Sequence, residues 1–197
     1  MKILQGKLLV FPKVIQVEKY SCGSACLRSV LKYYGFNTYE KNLIKKLGTN
    51  KIYGTKPSEI IDLATSYNLK VRHGSVSIRI VKRLIDERVP PIVILQAWTT
   101  SGNTNYLTDW KDGHYSVLVG YLGDYLFFSD PSVHENKLSY LHVSQFADRW
   151  HDEGIKGKKY KNYTIAIYGA TPKYRSKDLK IREDKLDDLL YQMVELE

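Results

Sequence analysis

The chain is poor in cysteine, with two, Cys22 and Cys26, in 197 residues. One pair cannot build a disulfide scaffold, and so low a count suits a reducing compartment. Long apolar runs are also absent. The longest lies around Val89–Ala97, too short to cross a bilayer and interrupted by Pro90-Pro91. Met1–Pro12 holds no compact apolar region followed by a small-residue cleavage site. No secretory signal is read there, and a cytoplasmic location is expected. Metal-ligand spacings are missing. The five histidines are His73, His114, His134, His142 and His151, with no His-x-x-x-His and no Cys-x-x-Cys. Gly48–Lys56 imitates a phosphate loop but is one residue too long, with Thr55 ahead of Lys56. No metal and no cofactor is expected, and no internal repeat or low-complexity segment appears.

What is present describes an ordinary folded chain, 43% apolar and 26% charged. Its length suits one domain, or one domain with an appendage. The net charge is +9. Lys173–Glu197 holds six basic and seven acidic residues, so the body of the chain carries +10. That balance permits contact with nucleic acid or an anionic membrane. The charges are scattered rather than clustered, which favours a solvated basic surface.

Helical periodicity dominates the first third. Cys22, Cys26, Val30 and Tyr33 share one face of a helix over Ser21–Tyr34, with Gly35 as its stop. A second helix is expected over Thr38–Leu47, ended by Gly48. A third begins near Thr55 with Pro57 in its first turn and Asn68 as a left-handed terminator. Leu69–His73 then alternates like a strand, and Ser77 opens a helix running to Arg88. Pro91–Ala97 reads as a buried strand. Thr99–Gly113 is a polar loop containing Trp110. His114–Tyr121 and Tyr125–Asp130 form a hairpin across Leu122-Gly123-Asp124. Ser144–His151 is a short helix, Lys156–Lys161 a basic turn, and Tyr163–Gly169 the last strand. Beyond Lys180, Leu186, Leu189, Leu190 and Met193 suggest an amphipathic terminal helix. The sum is α+β. Residues 1–172 form one domain, with a helical half over about 14–68 and a sheet half over about 69–170, and residues 173–197 form a charged helix or tail.

The residues that could carry chemistry converge on Cys22. At a helix start, free N–H groups and the macrodipole favour a thiolate. Gly23 has no Cβ, so a substrate backbone could approach closely. Cys26 lies one turn on, too far for a disulfide within a helix, and reads as a small core residue. A thiolate nucleophile needs a base, and the base an orienting group. His114 at the start of one hairpin strand and Asp130 at the end of the next share one end of the ladder, within mutual reach.

The stretch from Gln16 through Tyr20-Ser21-Cys22-Gly23-Ser24-Ala25-Cys26 to Tyr33-Tyr34-Gly35 resembles the active-site helix of the bacteriocin-processing cysteine peptidases. Those papain-like enzymes remove double-glycine leader peptides. Gly113-His114 and Asp130-Pro131 resemble that family's base and orienting residue, and the likeness runs from about Val14 to Val133. The resemblance implies a papain-like fold and a cysteine peptidase. Cys22 would be its nucleophile, His114 its general base and Asp130 the orienting carboxylate. The Gln16 side chain and the Cys22 backbone N–H would be the oxyanion donors. It also implies a peptide or protein substrate with a leader or small-residue junction, cut through a thioester. Family members are most often the front of a membrane transporter. This chain reads as free-standing, or as the partner of a separately encoded transporter through its C-terminal helix. Trp110 lies outside the resemblance and is expected in a loop beside the cleft. Three other readings compete: an amidase or acyl transferase on the same fold, a non-catalytic peptide-binding module, and a nucleic-acid-binding protein.

Overall fold

The computed structural model describes residues 2–99, 105–134 and 137–196. The helices are α1 (Cys22–Tyr33), α2 (Glu40–Lys46), α3 (Pro57–Ser66), α4 (Ile78–Asp86), α5 (Val143–Arg149) and α6 (Leu186–Leu190). The strands are β1 (Ile3–Leu9), β2 (Lys70–Ser75), β3 (Ile92–Gln96), β4 (Gly113–Leu122) and β5 (Tyr125–Ser129), then β6 (Ser139–His142), β7 (His151–Glu153), β8 (Lys159–Lys161), β9 (Tyr163–Tyr168), β10 (Ser176–Arg182) and β11 (Val194–Glu195). The fold is the expected α+β, papain-like arrangement.

Helix α1 is buried over most of its surface, with only Arg28 and Lys32 reaching toward solvent. Ala25, Cys26, Leu27, Val30, Leu31 and Tyr33 are all in the core, as its wide apolar face requires. It ends where the chain turns left-handed at Gly35, φ 90°, a geometry that costs glycine nothing. Among the described residues the main sheet has nine strands, with a spine ordered β11-β6-β5-β4-β3-β9-β2. Strand β4 is its hub. Its first half pairs with β3, Leu95 opposite His114, and its second half with β1, Leu8 opposite Gly120. A bulge between Leu118 and Gly120 shifts its register against β5. The β4–β5 hairpin closes tightly, with Leu122 opposite Tyr125. Helix α1 packs on β4, so the two elements bearing Cys22 and His114 are pressed together.

Three expectations are corrected. Residues 3–9, given no element from the sequence, form β1. The basic turn Lys156–Lys161 is a short 3-10 turn running into β8, which pairs with β7 from His151 opposite Lys161. The long terminal helix is absent. Ser176–Arg182 is a strand paired along all of β1, followed by the short α6 and by β11 beside β6. The apolar residues expected to face a partner are used within the chain. Leu190 joins Leu4, Leu122 and Phe127 in a second core, with Leu186, Leu189 and Met193 packed against it. Alternating charge in Ser-Lys-Asp-Leu-Lys-Ile-Arg suits an edge strand with one face wet, and the helical periodicity of a few leucines disguised it. No helix among the described residues is long and apolar enough to cross a membrane.

Candidate active site

Cys22 is the first residue of α1. The side chain of Ser21 before it does not cap the helix, so the first N–H groups of α1 have no intrahelical acceptor. The Ser21 hydroxyl is used in the preceding turn, accepting from the Glu18 N–H at 3.1 Å. The Cys22 side chain opens into a cleft of about 660 Å³ that is also lined by His114, Thr55, Trp110, Tyr115 and Asp152.

His114 is the second residue of β4 and Asp130 follows the last residue of β5. They are 6% and 0% exposed. His114 Nε2 and Asp130 Oδ2 are 2.8 Å apart, and Cys22 lines the same cleft as His114. With Nε2 held by Asp130, Nδ1 is the nitrogen left for the sulfur. Burial pushes the His114 pKa down, but the Asp130 charge and hydrogen bond, with the contact to Cys22, overcome it and carry the pKa up to about 10. In Asp130 burial works upward, and the His114 charge, its hydrogen bond and the Ser132 N–H prevail, holding the carboxyl below its ordinary value. Both directions describe an ion pair, imidazolium on carboxylate, kept from water.

Gln16 sits at the back of this group. Its backbone N–H donates to Pro131 O at 3.0 Å. Its Oε1 accepts from the Ser132 hydroxyl at 3.0 Å, and its Nε2 donates to Lys19 O at 3.2 Å. It is not among the residues lining the cleft. Ser132 thus bonds both side chains, because its N–H also donates to Asp130 Oδ1 at 2.8 Å.

Gly23 has a different use from the expected one. A Cβ there would lie 2.7 Å from Thr55 Cβ and 3.2 Å from Tyr115 Cδ2. The close approach is made by the protein's own loop, not by open space for a substrate. That loop is Gly48–Lys56, the imitation phosphate loop. It is tied to α1 by a buried chain of hydroxyls, Ser24 to Thr49 at 2.8 Å and Thr49 to Thr55 at 2.8 Å. Tyr115 completes the tie by donating its hydroxyl to Thr55 O at 2.9 Å. Gly23→Ala should therefore lower stability by about 1–2 kcal/mol, overpacking exceeding the helix-propensity gain. A denaturant midpoint at or above that of the unmodified protein would contradict this.

Trp110 does border the cleft. Its ring lies 4.2 Å from that of His151, with Lys159 Nζ 4.6 Å above it. The loop expected over Thr99–Gly113 is described from Asn105 onward, and residues 100–104 lie outside the described residues. Cys26 is core. Its thiol donates to Tyr115 O at 3.3 Å, and burial pushes its pKa well up. Among the described residues no group of three or more His, Cys, Asp or Glu side chains is placed to hold a metal.

Two positioning residues escaped the sequence. Ser132 is one. The other is Glu40, first residue of α2 and 4% exposed. Its Oε1 accepts from the Val17 N–H at 3.1 Å and lies 3.2 Å from the Ser21 hydroxyl. It therefore pins both ends of the segment between Gln16 and Cys22. An acidic residue in a helix's first turn is so common that nothing local marks it.

Comparison with known proteins gives the chain a family. The model of the Peptidase C39 family matches residues 11–159. No relative is found among curated proteins. Among solved structures, a C39-like peptidase from Bacillus anthracis superposes with a TM-score of 0.63 at 17% identity, over 85% of this chain and 99% of that one. A double-glycine motif protease from an AMS/PCAT transporter, solved with its leader peptide, gives 0.59 at 18% identity, over 85% and 99%. The peptidase domain of Streptococcus ComA, a bifunctional ABC transporter of a quorum-sensing pathway, gives 0.55 at 25% identity, over 82% and 97%. A family match that includes Cys22, His114 and Asp130 and most of the chain places this protein in the Peptidase C39 family, as a cysteine peptidase.

Proposed function

We propose that the chain cleaves a peptide after a small-residue junction of the double-glycine kind, with Cys22, His114 and Asp130 as its catalytic triad. The observation that carries this is the convergence of the three at one cleft: Cys22 and His114 line it together, and His114 Nε2 lies 2.8 Å from the buried Asp130 Oδ2. The second proton of the His114 imidazolium is the one Cys22 has given up, and the resulting thiolate attacks the carbonyl carbon. The C–N bond breaks as His114 returns the proton to the leaving amine, which leaves a thioester on Cys22. Water, deprotonated by the same imidazole, opens the thioester and frees the carboxylic acid. Asp130 holds the ring with Nδ1 toward the sulfur. The junction residues are proposed small because the thiol is recessed, at 8% exposure for Cys22. A bulky side chain next to the cut would hold the carbonyl away. The proposed setting is the cytoplasm.

Alkylation tests the triad. Iodoacetamide should label Cys22 at least about tenfold faster than Cys26 below pH 7, since a charged imidazole neighbour supplies a reactive thiolate and a buried thiol stays inert. His114→Ala should remove most of that preference. Slow, equal labelling of both cysteines would overturn the reading. A peptide with a Gly-Gly junction and its Leu-Leu counterpart then test the junction, only the first being cut.

A further inference from the structure

The cleft that leads to Cys22 is ringed by lysine. Lys19, Lys56, Lys111, Lys156 and Lys158 all line it and all are exposed. They come from separate stretches of chain: the turn before α1, the turn before α3, the Trp110 loop and the turn between β7 and β8. Among the described residues none of the five is in an ion pair, although lysines elsewhere are, Lys2 with Glu183 and Lys185 with Asp188 among them. The carboxylates of the same cleft are Asp152 and Glu153. Asp152 is partly spent internally, accepting from Gln96 Nε2 at 3.2 Å. The N-terminus of α1 adds its own positive end to the floor. A lysine ring left unpaired around a recessed nucleophile focuses a positive potential on the approach to it.

Resting on the peptidase reading for the nature of the occupant, we propose that this cleft selects acidic peptides, carboxylates flanking the junction being held by the lysine ring. Selection of this kind acts on encounter. It raises the association rate and falls steeply with salt, while the chemical step is unchanged. Lys156 and Lys158, exposed on a turn remote from the triad in sequence, are the lysines to reverse. Lys156 already stands at φ 60°, so glutamate there inherits the same backbone geometry and not a new strain.

The test is binding by fluorescence anisotropy to the Cys22→Ala protein. Three peptides share one Gly-Gly junction and have acidic, neutral or basic flanks. At low salt the acidic peptide should bind about tenfold or more tighter than the neutral one, and the advantage should vanish near 1 M salt. Lys156→Glu/Lys158→Glu should remove most of it, with the fold retained by circular dichroism. Equal affinity for the three peptides, or no measurable binding of any, would overturn the proposal. So would tighter binding of a single-stranded oligonucleotide of equal charge that displaces the acidic peptide, since nucleic acid would then be the occupant. Hydrolysis by the unmodified protein keeps the two readings apart. If the neutral peptide is cut as well as the acidic one, the peptidase stands and the charge selection falls. If none is cut while the acidic one still binds best, the reverse holds.

Discussion

Asp130→Asn should lower kcat by roughly three to four orders of magnitude, the scale of the same exchange in serine peptidase triads, with the fold intact. The reason lies in Ser132. Its N–H donates to Asp130 Oδ1 at 2.8 Å, so an asparagine placed there must keep its carbonyl oxygen toward Ser132. Its NH2 group then occupies the Oδ2 position, 2.8 Å from His114 Nε2. A donor facing Nε2 forces the ring proton to Nδ1, toward the sulfur, and the ring can no longer accept the thiol proton. The charge also goes, and with it the largest influence holding the His114 pKa up against burial.

The same exchange reverses the pH dependence of stability. In the unmodified protein His114 binds its proton more tightly folded than unfolded. Its contribution is complete below about pH 6.5 and is lost as pH rises through about 10. Asp130, held low, contributes above the unfolded carboxylate value of about 4, and that is lost as pH falls through its folded value. In Asp130→Asn a buried, unpaired imidazole must stay neutral to fold, so stability falls as pH drops below about 6.5. Denaturant midpoints across pH should slope downward toward pH 10 in the unmodified protein and upward through pH 6 in the variant. Parallel profiles would mean that His114 and Asp130 are not an ion pair.

Much of this was legible in the sequence because the decisive signals are local. Helix α1 declares itself by its apolar faces and Gly35, the hairpin by Gly123-Asp124, and the His114–Asp130 encounter follows from strand order. Those readings need only periodicity and the antiparallel ladder. What failed is what depends on distant partners. Strand β1 becomes a strand because β10 and β4 flank it, and β10 because β1 does; neither has a strong pattern alone. Gly23 was misjudged for the same reason. A missing Cβ announces a close approach but not by whom, and Thr55 is 32 residues away in the sequence. Glu40 and Ser132 are ordinary polar residues until the fold brings Val17, Ser21, Gln16 and Asp130 to them.

The oxyanion role we propose for Gln16 depends on that long-range support. An oxyanion donor is effective only if it is held before charge develops. An amide has two N–H groups and a carbonyl, and three anchors fix this residue: Pro131 O, the Ser132 hydroxyl and Lys19 O. The Ser132 donor settles which end of the amide is oxygen, so the nitrogen end is turned to the segment that enters α1. One of its N–H groups is engaged with Lys19 O, which leaves the other for an oxyanion. On that basis Gln16→Ala should lower kcat about a hundredfold or more with KM little changed. Gln16→Glu should do the same, since it keeps the shape and loses the donors. Ser132→Ala should cost less, because two anchors remain, and its loss should appear in kcat alone. Gln16 lies outside the cleft lining, so a purely structural role predicts the opposite pattern: lower stability in all three variants and a loss of kcat below about tenfold, well short of an oxyanion donor's contribution. Single-turnover acylation by the three variants separates the two, because only an oxyanion donor slows thioester formation while leaving substrate affinity as it was.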